Sequence, residues 1–161
     1  MDELLALAET LPRHSFAAGD VLLVDGNPVD SLFVLIDGAL QIEKDGTVVA
    51  TVNEPGACVG EMSLLLGISA TATVIASRLS VLAVIEDPQE MLEREPRLAL
   101  ALARQLAARL QIMTTYLADL REQYADHEGG LGMVDVVLGS LMRSSGSPTR
   151  LGSERDPNPE Y

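Results

Sequence analysis

The chain has 161 residues, 47% of them hydrophobic, a length that suits one globular domain with a tail and excludes a large multidomain enzyme. Aromatic residues make up 3% and Trp is absent, so the core is built from Leu, Val, Ile, Ala and Met, and no base-stacking surface for single-stranded nucleic acid is expected. With 11 Lys and Arg against 24 Asp and Glu the formal charge is −13, the wrong sign for a phosphate backbone, and 16 of the acids but only 4 of the bases lie in residues 1–95.

The single cysteine, Cys58, cannot form an internal disulfide, and the chain does not open with a basic region followed by an apolar run and a small-residue cleavage site. A cytoplasmic setting is expected. The longest apolar stretch without a charge, 62–77, contains Gly67 and several Ser and Thr and falls short of the about 18 to 20 residues a membrane span needs, so no membrane partner is expected.

In chain order, DELLALAETL (2–11) has an acidic start, Leu at helical spacing and Pro12 as a stop, which predicts a short N-terminal helix over 1–12. From 13 to 86 short runs of β-branched and apolar residues alternate with turn residues: VLLV, Asp25-Gly26-Asn27-Pro28, SLFVLI, Asp37-Gly38, ALQIE, Lys44-Asp45-Gly46, TVVATV, TATVIA and SVLAVI. Turns this regular predict an antiparallel sandwich or barrel. In Ala39–Glu43, Leu40 and Ile42 face inward and Gln41 and Glu43 outward, and Lys44-Asp45-Gly46 makes a hairpin turn.

Asp87-Pro88 opens a short helix to Glu95, and Pro96 to about Ala125 reads as one long helix, free of Gly and of further Pro. Its Leu106, Leu110, Met113, Leu117, Leu120 and Tyr124 follow steps of three and four, the spacing of a coiled-coil seam. The stripe either lies on the β domain of its own chain or pairs with a second copy. A helix of about 45 Å, at 1.5 Å per residue, outruns a β domain of this size and favours a homodimer. Beyond it, 126–161 is expected to be a mostly disordered tail, with a short apolar helix at 131–142.

The segment Pro55-Gly56-Ala57-Cys58-Val59-Gly60-Glu61-Met62-Ser63-Leu64-Leu65, with Ala70-Thr71-Ala72-Thr73-Val74 after it, carries the chemistry. A Gly-Glu step opening a helical turn places backbone N–H groups, which favour an anion, beside a carboxylate that accepts from hydroxyls. A phosphorylated sugar suits both. On spacing alone a plain turn with a helix-terminus carboxylate stays open.

These residues, with Phe16-Ala17-Ala18-Gly19-Asp20-Val21-Leu22, Asp25-Gly26 and Asp30 to Gly38, resemble the cyclic nucleotide-binding domain of the catabolite-activator and fumarate-nitrate regulator family, over roughly residues 10–125. The resemblance implies a mainly β fold with flanking helices: a β-roll, or double-stranded jelly roll, with a long C-terminal dimerisation helix. It implies that Glu61 receives a ribose 2′-hydroxyl of cAMP or cGMP. Gly60, Met62 and Ser63 would offer backbone N–H groups, and Thr71 and Ala72 would lie at the cyclic phosphate. Thr114 and Thr115 stand where the family's long helix meets the purine; otherwise they are solvent-facing helix threonines.

Two departures follow from the same resemblance. The family's phosphate-pairing arginine falls at Ala70, and Arg78, the only basic residue near it in sequence, has no reason to point into the pocket. The helix-turn-helix module of the family's transcription factors, about 70 to 80 residues, has no counterpart in the 36 residues after Ala125, so a single-domain form without direct DNA binding is expected.

The function expected is a cyclic-nucleotide-binding regulatory module acting through dimerisation and an effector protein, with Asp87–Pro96 as hinge and Gly129–Met142 as effector surface. The alternatives are a nucleotide-free dimeric scaffold and a transcription regulator with a DNA-binding partner in trans. No catalytic residues, metal or cofactor are expected: His14 and His127 are far apart, no nucleophile elbow or phosphate-binding Gly-Lys-Ser/Thr loop is present, and Cys58 reads as a packed small hydrophobe rather than a redox switch.

Overall fold

The computed structural model describes residues 2–123 and 132–141. The first unit, to Arg109, is a two-sheet β-roll with helices against one face; the second begins at Leu110. In order the elements are α1 (Asp2–Ala8), β1 (Arg13–Phe16), β2 (Val21–Leu23), β3 (Ser31–Asp37), β4 (Leu40–Lys44), β5 (Thr47–Val52), β6 (Cys58–Val59), α2 (Glu61–Leu66), β7 (Thr73–Ala76), β8 (Ser80–Glu86), α3 (Pro88–Arg94), α4 (Pro96–Gln123) and α5 (Gly132–Leu141). One sheet runs β1-β8-β3-β6 and the other β2-β7-β4-β5, with every pairing antiparallel.

The run SLFVLI is apolar at every position because β3 is covered on both faces. Leu32 and Val34 turn outward into a core shared with Leu4 and Ala8 of α1 and Leu98, Ala101 and Leu102 of α4. Phe33 and Leu35 turn inward, between the sheets, to meet Leu40, Val74, Ala76 and Leu82. The partner strand β8 divides the same way, Ala83 and Ile85 to the helices and Leu82 to the interior. Burying each of these Leu, Ile and Phe side chains stabilises the roll by roughly 1.5–3 kcal/mol.

The alternation expected in β4 is softer than its sequence reads: Leu40 is fully buried, but Gln41, Ile42 and Glu43 are all half-buried. A bulge between Ile42 and Glu43 turns the strand there, and Ile42, packed at the edge of the inter-sheet core, also borders a cavity. The Lys44-Asp45-Gly46 hairpin forms with Asp45 and Gly46 both at positive φ, the geometry a two-residue turn between twisted strands needs. Two strands escaped the sequence reading. β1 carries the polar residues Arg13, His14 and Ser15, and β6 is only two residues long. Each is held by pairing to an apolar neighbour rather than by its own pattern.

Gly38 cannot be replaced without moving the sheet. Its φ is +119°, and a Cβ there would lie 2.5 Å from the Ser80 Cα, backbone that cannot give way. The close approach lets the buried Ser80 hydroxyl accept from the Ala39 N–H (3.1 Å) and donate to the Arg78 carbonyl (2.8 Å).

α4 is 28 residues long, and its buried residues, Leu98, Ala101 and Leu102, all lie in its first two turns. Arg104 pairs with Glu3 of α1 at 2.6 Å. Leu106 is half-buried; further on, Leu117 and Leu120 are half-buried, while Leu110 (45%), Ile112 (70%), Met113 (61%) and Tyr116 (62%) are exposed. Tyr124 and His127 lie outside the described residues, as does most of the tail. No helix among the described residues is long and apolar enough to cross a membrane.

Candidate functional site

A cavity of about 350 Å³ opens on the second sheet, bounded by Leu23, Ile42, Ala50, Val52 and Val74, and closed by the segment Cys58–Ser63, by Ala70–Ala72 and by Arg109. Gly60 starts its floor at φ +93°, a left-handed turn that swings the chain from β6 into α2. A Cβ at Gly60 would sit 3.2 Å from the Ser31 carbonyl. α2 is six residues long and ends at Gly67, where the Gly67 N–H donates to the Leu64 carbonyl and the Ile68 N–H to the Ser63 carbonyl, the paired bonds of a Schellman closure. The 68–72 loop is then fixed by reciprocal bonds of 2.8 Å, Gly26 N–H to the Ala70 carbonyl and Ala70 N–H to the Asn27 carbonyl.

Gly60, Glu61, Met62, Ser63, Ala70, Thr71 and Ala72 therefore border one cavity. Glu61 is 3% exposed and Ser63 is buried; the Met62 side chain is half exposed and Thr71 is exposed at the rim. Ala70, where the arginine was expected, is buried. Thr114 and Thr115 lie on α4 past Arg109, in the second unit; the Thr114 hydroxyl donates to the Leu110 carbonyl at 2.8 Å, a bond within its own helix. Arg78 donates to the Gly38 carbonyl at 2.9 Å, away from the cavity lining.

The sequence reading missed the cation of this site. Arg109 of α4 pairs with Glu61 through Nη1, and its Nη2 donates to the Cys58 carbonyl at 2.9 Å. One turn earlier Gln105 donates to the Gly56 carbonyl at 2.8 Å and accepts from the Cys58 N–H at 3.1 Å. β6 is an edge strand, and these two side chains satisfy the backbone groups its open edge presents. The available signal was the i, i+4 pair Gln105 and Arg109 on the half-buried flank of α4, which a search confined to residues near Ala70 in sequence passes over.

Cys58 packs as an apolar residue. Burial pushes its thiol well above the usual range, the Glu61 carboxylate pushes it further, and Arg109 offsets part of that. A buried thiol held protonated is a poor nucleophile, so a redox switch finds no support here. His14 is exposed on β1, and no cluster of His, Cys, Asp and Glu that could hold a metal is present among the described residues.

The family model for the cyclic nucleotide-binding domain matches residues 13–104, more than half of the chain. The chain belongs to the cyclic nucleotide-binding domain family. This is a family of regulatory rather than catalytic modules. Among solved structures, the catabolite activator protein of Thermus thermophilus is similar at 25% identity and a TM-score of 0.58, covering 74% of this chain. The match spans 59% of that longer protein, so this cyclic nucleotide-binding domain corresponds to about three-fifths of it. The N-terminal domain of a transcriptional regulator from Streptomyces coelicolor A3(2) is 30% identical, with a TM-score of 0.51, over 70% of this chain and 84% of that one. A cyclic nucleotide-binding domain from Methylobacillus flagellatus shares the fold at 21% identity and a TM-score of 0.55, over 80% of this chain and 84% of that one. A search of curated protein sequences gave no match.

Proposed function

We propose that the chain is the ligand-sensing part of a regulatory protein working in the cytoplasm, its cavity receiving a ribose-bearing ligand of the cAMP or cGMP type. The observation that carries this reading is Glu61, a carboxylate 3% exposed at the floor of the family's cassette and bordering the cavity. A buried carboxylate facing an open cavity can exchange hydrogen bonds with a ligand hydroxyl at small desolvation cost, since burial is already complete. The N–H groups of Gly60, Met62 and Ser63 and the Thr71 hydroxyl supply the remaining polar contacts.

The output runs through α4. Gln105 and Arg109 tie it to the same segment that forms the cavity floor, so a ligand that repositions Glu61 biases the helix, provided it has different affinity for the two arrangements. Beyond Arg109 the stripe Leu110, Met113, Leu117 and Leu120 is the surface for a second copy, and an effector protein reads the result. Isothermal titration with cAMP and cGMP tests the site. Wild type should bind at least one of them in the micromolar range and Glu61→Ala should abolish the heat; equal binding by both proteins would refute the role of Glu61. The nucleotide-free scaffold is the second reading, favoured by the buried Ala70. It stands if neither cyclic nucleotide nor its parent nucleoside binds wild type up to millimolar concentration.

A further inference from the structure

The charges around the cavity narrow the ligand class, an inference that rests on the reading of the cavity as a ribose site. Among the described residues that border it, Glu61 is the only acid and Arg109 the only base, and they pair with each other. The second guanidinium nitrogen of Arg109 is committed to the Cys58 carbonyl and, at 3.3 Å, to Gln105. The other cations of the first unit with assigned partners are engaged elsewhere: Arg13 with the Glu9 carbonyl, Lys44 with Asp25, Arg78 with the Gly38 carbonyl, Arg94 with Glu90 and Arg104 with Glu3. Positions 70 and 72, both bordering the cavity, are alanines, and its walls are Leu, Ile, Ala and Val.

A site whose two charges cancel has nothing left to neutralise a phosphate. An anion entering it meets backbone N–H groups and the Thr71 hydroxyl but no free counter-charge, and 16 acids against 4 bases in residues 1–95 add a repelling field. What the site does offer is a carboxylate for hydroxyls and an apolar wall for a flat ring. A cyclic nucleotide presents one free ribose hydroxyl, because the 3′ oxygen is esterified; the corresponding nucleoside presents the adjacent 2′ and 3′ pair and carries no charge.

We infer that the cavity selects an uncharged ribonucleoside over its cyclic 3′,5′-monophosphate. The Glu61–Arg109 pair serves as a neutral diol-recognition element, and Ala70 is the specificity-determining position that removes the preference for phosphate.

The test is isothermal titration of the full chain with adenosine, guanosine, cAMP and cGMP at one fixed salt concentration. In wild type a nucleoside should bind more tightly than its own cyclic phosphate, with an affinity that hardly changes with salt. In Ala70→Arg the cyclic nucleotide should gain roughly 10- to 150-fold, the value of one charge-assisted pair, while the nucleoside changes less than about threefold. Glu61→Gln, which removes the carboxylate that receives the hydroxyls, should weaken the nucleoside. A wild-type preference for cAMP or cGMP overturns the inference and leaves the ribose site standing. Cyclic nucleotide binding gained only in Ala70→Arg, with no nucleoside bound by wild type, also overturns it. Silence of all four ligands in both proteins overturns the site as well. The wild-type comparison decides on its own if the arginine variant fails to fold.

Discussion

The Glu61–Arg109 pair gives a measurable asymmetry, because its partners differ in burial: the Glu61 side chain is 4% exposed and that of Arg109 38%. Arg109→Met strands a buried carboxylate. Stranding one partner of a fully buried pair costs about 3–5 kcal/mol, and the water that reaches Arg109 brings the expected loss down to about 2–3 kcal/mol. Glu61→Gln leaves a half-exposed guanidinium that keeps its bond to the Cys58 carbonyl and gains water, so about 1 kcal/mol is expected. The double variant buries no unpaired charge and should cost less than the two losses added, giving a coupling of about 1.5 kcal/mol. Urea unfolding of the four proteins, with an unchanged m-value, measures this cycle, and Arg109→Met should melt about 10–15 °C below wild type. If Glu61→Gln proves as costly as Arg109→Met, or if the cycle is additive within about 0.5 kcal/mol, the pair is not the buried, coupled element described above.

Gly38→Ala should lose about 3 kcal/mol or more in the same urea assay, since a Cβ meets the Ser80 backbone and φ is left-handed; a loss below about 1 kcal/mol would show that β8 gives way. Cys58 should react with a thiol reagent only at the rate of unfolding. Its folded pKa is raised, so the unfolded chain releases the proton first and stability falls as pH climbs above the ordinary thiol value of about 8.5, by at most about 1.4 kcal/mol per pH unit. Cys58→Ala should not show this alkaline loss, and fast labelling of native protein at pH 8 would contradict the packing described. Sedimentation should find wild type as a dimer. Leu110→Glu with Leu117→Glu should make it monomeric with the melting temperature of the roll little changed, whereas a monomeric wild type would remove the role given to the α4 stripe.

Local rules carried the reading of the fold a long way. Turn residues such as Asp45-Gly46 and the left-handed Gly60 mark where the chain must reverse, and they act within a few residues. The 28-residue α4 declares itself through composition, and β3 through a run apolar at every position. The cassette from Gly56 to Val74 was legible because its residues are contiguous, and so was the absence of an arginine at Ala70. β1 and β6 were not legible. Their strand state is imposed by β8 and β3 alongside them, and their own residues carry no periodic signal.

The charge state of the cavity belongs to the tertiary structure alone. Glu61 and Arg109 are 48 positions apart, and nothing near either residue in sequence marks them as partners. They meet because Leu98, Ala101 and Leu102 seat the start of α4 on the outer face of β3 and β8, which sets the rotation of the helix and brings Gln105 and Arg109 over the open edge of β6. A periodic sequence shows that a helix has an apolar face. Which polar side chain flanking that face meets a buried carboxylate is fixed only when the face is packed against its sheet.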